Sequence, residues 1–188
     1  MGTNAAVTRT NAPGPWVLTT RRVVLGAIFG AMTLVLGGVG FGFIPVPNAS
    51  GAGTVLHIPT IIGAIIGGPL VGILCGAIFG VMALIAFPAF GPFVHIPSRL
   101  LIGVVAWLVY AGLRRLNVSV IIASVVAAAA GSLTNTLVTV GTAIALNMVP
   151  PAFMLTVIPQ AATELIAAAI ITPIIVVAVN SIPNARGN

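Results

Sequence analysis

Apolar residues dominate long runs of this chain, and polar ones are confined to the joints between them. The longest run is IPTIIGAIIGGPLVGILCGAIFGVMALIAF, residues 58–87, thirty positions without a formal charge. A bilayer's hydrocarbon core is about 30 Å thick and takes about 20 apolar residues as one upright helix. The run is too long for one helix and short for two full spans. Gly67, Gly68 and Pro69 lie at its middle. Pro69 has no N–H to donate and clashes with the preceding turn, and glycine tolerates a tight reversal. The pattern predicts a hairpin with a short arm over residues 58–67 and a full arm over 70–87. At 1.5 Å per residue the short arm rises about 15 Å, half a bilayer. A half-length helix in a membrane must be buried in protein or border a cavity, because its terminal backbone groups find no water.

The other runs predict four full helices, over residues 22–43, 97–113, 118–146 and 153–179. With the two hairpin arms this makes an all-α integral membrane protein of six helices, one domain over residues 21–183. Residues 1–20, with Pro13 and Pro15, read as a disordered cytoplasmic tail and 184–188 as a second tail. Three loops, residues 44–56, 88–95 and 147–151, join the runs on one side. The first precedes the half-length helix, so part of it dips into the membrane, as a lid or as a plain connector. Pro97 suits a first helical turn, which puts Arg99 in that turn. Small residues recur every four positions as Gly72, Gly76 and Gly80, and as the overlapping pairs Gly26/Gly30 and Ala27/Ala31. Such stripes let another helix approach closely. Those on helix one fit either an internal neighbour or a partner protein.

Composition agrees with the pattern. Of 188 residues, 59% are hydrophobic and 4% charged, against about 25% charged in soluble domains. The net charge of +6 comes from seven arginines and one acid, Glu164. In a soluble protein that basicity points to nucleic acid. Here Arg21/Arg22, Arg114/Arg115 and Arg186 flank apolar runs on one side of the layout, so they orient the chain with that side and both termini cytoplasmic. The run after Arg21/Arg22 is a full span, longer than a cleavable leader's. Cys75 stands alone, so it makes no internal disulfide and reads as a small core residue.

Arg99 breaks the charge rule, since it falls near the outer side. It either snorkels to outer headgroups or aims its planar fork at a carboxylate or phosphate in a cavity. Glu164 lies about ten residues down helix six, roughly 15 Å deep. An intramembrane carboxylate marks a functional site by default; its structural alternative is a buried ion pair with Arg99. Gln160 shares its helix face at i−4. Asn135, with Thr134, Thr136 and Ser132, sits in the outer half of helix five, fit for an amide or hydroxyl ligand or for bonds between helices. His57 and His95 each precede Ile-Pro at a loop mouth. No cysteine or acid stands beside them to complete a metal set, so they read as caps on the cavity. The chain has no GxxxxGK[ST] phosphate loop and does not itself hydrolyse ATP. These groups converge on the outer half and leave the inner half apolar, which predicts a binding cup open to the outside with no path through.

Helix one with Ala27-x3-Ala31, the segment IPTIIGAIIGGPLVGILCGAIFG from Ile58 to Gly80, PSRLLIG from Pro97 to Gly103 and GSLTNT from Gly131 to Thr136 resemble the substrate-binding S components of energy-coupling factor (ECF) vitamin transporters. The resemblance covers residues 21–183. It implies six helices, a vitamin bound near the outer surface under the loop after helix one, and Ala27 and Ala31 as contacts to a transmembrane coupling protein. Two cytoplasmic ATPases complete such a module in the prokaryotic cell membrane, and transport there involves toppling of the S component. GPLVG, SRLLIG, LTNT and the helix-six Glu look most similar to the pantothenate type. Pantothenate has one carboxylate, two hydroxyls and one amide; Arg99 takes the carboxylate, Glu164 the hydroxyls and Asn135 the amide in this reading. Phe41, Phe43, Phe87, Phe90 and Phe93 are the outer aromatics, few for a flavin or pterin ring, and riboflavin, folate, pyridoxine and lipoate stay open. A stand-alone secondary carrier predicts polar groups through the full depth or an inverted repeat, and neither is visible. An intramembrane enzyme needs a catalytic pair, for which only Arg99 and Glu164 are available.

Overall fold

A computed structural model of the protein describes residues 13–46 and 52–182. It contains helices α1 (Thr20–Gly38), α2 (His57–Gly67), α3 (Pro69–Ala86), α4 (Gly91–Arg115), α5 (Val120–Ala145), the single turn α6 (Phe153–Thr156) and α7 (Ile158–Ser181). Two short strands, β1 (Phe43–Pro45) and β2 (Ala52–Thr54), lie between α1 and α2. Among the described residues, five helices are long and apolar enough to cross a membrane; α2 is the sixth apolar helix and is shorter.

The half-length helix is the hub. Every residue of α2 except Ile66 is buried, with α1, α3, α4, α5 and α7 packed around it. Gly68, at φ +96°, makes the reversal into α3, and Pro69 starts that helix where its missing N–H costs nothing. The predicted hairpin is therefore present, one residue longer at its start. Arg22 fixes the reversal from outside: its Nε donates to the Gly67 carbonyl at 3.1 Å. The same guanidinium binds the carbonyls of Gly14 and Val17, and Trp16 meets Trp107 edge to face at 6.1 Å.

The glycine stripe on α3 sets the distance to α4. A Cβ on Gly72 would stand 2.8 Å from the Gly103 Cα, and one on Gly76 would overlap the Arg99 carbonyl. The two backbones touch there, so the stripe fixes where Arg99 stands. On α1 the overlapping small pairs part company. Gly26 and Gly30 face inward, against Leu74 and Ile78 of α3. Ala27 and Ala31 face outward and are exposed.

Burial runs opposite to the soluble pattern. Leu74, Ile85, Leu108, Ile121, Ile122 and Ile174 are exposed, while Arg99, Glu164, Asn135, His57 and His95 are buried. Such an exterior suits hydrocarbon, and the chain is a multi-pass membrane protein.

Several element boundaries differ from the sequence reading. Helix one ends at Gly38, not Phe43. The loop over residues 44–56 contains the short antiparallel pairing Phe43↔Thr54, Ile44↔Gly53 and Pro45↔Ala52, inside a fold that is otherwise all-α. The tip of that loop, residues 47–51, lies outside the described residues, as do residues 1–12 and the tail with Arg186. The segment over residues 88–95 is a 3-10 turn (Pro88–Phe90) followed directly by α4, because Gly91 at φ +69° makes the corner and Pro92 takes the first turn. Pro97 is thus inside the helix and Arg99 two turns in. Helix six breaks at Val157, and Pro159 starts α7 instead of sitting inside the helix. Glu164 is then about 9 Å from its helix start rather than about 15 Å.

Candidate functional site

A cavity lies at the end of the fold where α2 begins, with Thr54, three residues before that helix, on its wall. The cavity has a volume of about 90 Å³. A water needs about 10–15 Å³ of such space, so there is room for a small molecule rather than a single solvent. Phe43 and Thr54 wall it from the strands. His95 and Arg99 come from α4, Asn135, Thr136, Thr139 and Val140 from α5, and Gln160 and Glu164 from α7. The basic clusters Arg21/Arg22 and Arg114/Arg115 mark the opposite end of the helices, alongside the Gly67 turn.

Each charged wall residue is held by the protein, and the two do not hold each other. Glu164 Oε1 accepts the Thr54 backbone N–H at 2.6 Å and the Gln160 amide at 2.8 Å. Its Oε2 accepts the Asn135 Nδ2–H at 3.4 Å. This ties α7, α5 and β2 to one carboxylate. Arg99 Nη1 donates to Ser98 Oγ at 2.7 Å and to Thr139 Oγ1. Its guanidinium lies over the Phe79 ring, 5.0 Å from the centroid, and its Nε–H finds no acceptor in the protein. The ion pair offered above as the structural alternative is absent from these bonds. A buried cation and a buried anion face one space with capacity left over. The Asn135 Oδ1 is likewise buried without a donor.

Five of the seven expected binding residues meet here: Arg99, Asn135, Glu164, Gln160 and His95. Two do not. His57 begins α2 instead of ending a loop; its imidazole is fully buried, it is not among the wall residues, and neither ring nitrogen has a hydrogen-bond partner. Thr134 is one residue off the Asn135 face, about 100° around the helix. Its hydroxyl returns to the Ala130 carbonyl at 2.8 Å.

Thr54, Thr139 and Phe153 are wall residues that sequence reasoning missed. Thr139 had a signal, since it stands at i+4 from Asn135 on the same face. Thr54 contributes its backbone N–H to Glu164, which no side-chain pattern announces. Of the expected aromatics, Phe43, Phe87 and Phe90 line the cavity; Phe41 and Phe93 are each 79% exposed.

No group of three or more metal-ligating side chains occurs among the described residues. A largely apolar cavity that carries one guanidinium and one carboxylate on its wall suits a binding protein. The family model described as "ECF transporter, substrate-specific component" matches residues 21–179, and the chain belongs to that family. No curated protein matches it. Members of the family are transport proteins rather than catalysts, and they work with a transmembrane coupling protein and ATPase subunits.

Proposed function

We propose that this chain binds a water-soluble vitamin that carries a carboxylate, pantothenate first, for an ECF-type importer. One observation carries the reading: Arg99 and Glu164 line the same small cavity, each hydrogen-bonded to its own protein partners, with no salt bridge between the two. Arg99 takes the carboxylate through its fork. Glu164 Oε2, with only one long bond to Asn135, accepts a ligand hydroxyl. The Asn135 Oδ1 receives the amide N–H.

The basic helix ends face the cytoplasm and the cavity opens to the exterior, in keeping with the positive-inside rule. Both termini are cytoplasmic in this arrangement, and α2 joins the five long helices as the sixth membrane element. Ala27 and Ala31, exposed on α1, meet the coupling protein, and two ATPases drive the module.

Calorimetric titration of the purified protein tests the site. Pantothenate binds the wild type, and Arg99→Ala weakens it by about 100-fold, the scale of a lost charge-assisted hydrogen bond. Unchanged pantothenate binding in Arg99→Ala defeats the assignment. Riboflavin, folate, pyridoxine and lipoate, titrated in parallel, release no heat; heat from one of them instead of pantothenate names that vitamin.

A further inference from the structure

His95 lines the cavity one helical turn before Arg99, with its ring nitrogens in two different situations. Nε2 lies 2.9 Å from the Phe87 carbonyl oxygen. A carbonyl has no hydrogen to give, so the proton of this bond sits on Nε2. In the neutral ring the other nitrogen, Nδ1, is then a lone-pair acceptor. That Nδ1 is buried and has no partner in the protein. The ring is held in place twice over. The Phe87 carbonyl belongs to the corner that ends α3, and Phe90 from the following turn stacks edge-on, 6.0 Å between centroids. The main chain at the α3–α4 corner thus fixes the tautomer of a cavity residue, and an acceptor rather than a donor is left over.

We infer that His95 is a specificity-determining residue whose Nδ1 accepts a hydrogen bond from the bound ligand. The inference rests on the vitamin reading given above and adds the polarity of one wall. Residues i and i+4 on a helix stand about 6 Å apart. The ligand therefore carries a donor, a hydroxyl or amide N–H, beside the anion held by Arg99. A molecule of the same shape that presents a carbonyl or ether oxygen there sets two acceptors face to face and leaves both unpaired, which is how buried polar groups discriminate. His95 is the second reader of the site: Arg99 demands a negative charge, and His95 demands a donor.

Two substitutions separate reading from mere support. The Asn side chain carries its amide near the position of Nδ1, so His95→Asn keeps an acceptor there and loses the tether to Phe87. The Gln side chain reaches the position of Nε2, so His95→Gln keeps a donor to the Phe87 carbonyl and loses the acceptor. Titrated with pantothenate, His95→Asn stays within a few-fold of the wild type, whereas His95→Gln binds about tenfold more weakly, the scale of one lost hydrogen bond. The reverse order, or equal losses, shows a structural role and overturns the inference. Spectra of protein labelled with nitrogen-15 histidine give a readout independent of the vitamin. The chain has 2 histidines, and the resonances missing from His95→Gln identify the second of them. A bare Nδ1 with the hydrogen on Nε2, recorded without ligand, upholds the acceptor, and a protonated Nδ1 overturns it. If pantothenate gives no heat with the wild type, the vitamin assignment fails while that spectrum still decides His95.

Discussion

Glu164 shows how much one residue can organise. A lone carboxylate among membrane helices needs donors, and it has three: one from a strand backbone, one from its own helix and one from α5. Removing it takes the acceptor from all three at once. Glu164→Ala is expected to cost about 3 kcal/mol of stability, in the range for breaking a buried hydrogen-bonded charge. It also frees the strands from α7. Thermal melting in detergent checks this, with Glu164→Gln, which keeps an oxygen for the donors, losing less. A melt unchanged in Glu164→Ala contradicts the account. That Glu164, Arg99 and Asn135 meet at one cavity was legible in the sequence, because polar groups are rare in an apolar chain and their depth can be counted. Their partners were not. Arg99 bonds Ser98 and Thr139, and Glu164 bonds the Thr54 N–H, pairings that depend on how helices meet. The place of His57 was illegible for a related reason. It precedes Ile-Pro just as His95 does, yet the sequence does not say that α2 already begins at His57 and draws it into the core.

Helices were legible where glycine and proline marked their ends unambiguously, and displaced where two such marks competed. The Gly67-Gly68-Pro69 reversal lies where the sequence put it. At the start of α4, Pro92 and Pro97 both satisfy the rule for a first turn, and Gly91 decides in favour of the earlier one by turning the corner. The pairing of β1 with β2 was hidden in a segment whose prolines and glycines read as loop. The glycine stripe of α3 was read correctly as a close-packing face, and the structure adds what it packs against. Gly76 lies against the Arg99 backbone, so this contact positions the cation of the site from behind. Gly76→Val forces α3 and α4 apart, with an expected loss of about 1–3 kcal/mol from overpacking. Because Arg99 moves with α4, pantothenate affinity falls as well. Melting and titration of the variant check both; normal stability together with normal affinity contradicts the role given to the stripe.

At the scale of the whole molecule, the fold separates three jobs along one axis. One end carries Arg21, Arg22, Arg114 and Arg115, with Arg22 stapling the N-terminal segment to the α2–α3 reversal. The other end carries the cavity beneath the strands. Between them α1 turns Gly26 and Gly30 inward and leaves Ala27 and Ala31 on the surface, which in the proposed function lets a partner dock away from the bound molecule. The proposed function joins these features, because Arg99 and Glu164 stand on the wall of one cavity with no salt bridge between them. Native mass spectrometry of the chain purified in mild detergent from cells grown with pantothenate tests that claim most directly. The account predicts one pantothenate per wild-type chain and none on Arg99→Ala. A wild-type chain with no small molecule, or the same adduct retained by Arg99→Ala, would contradict it.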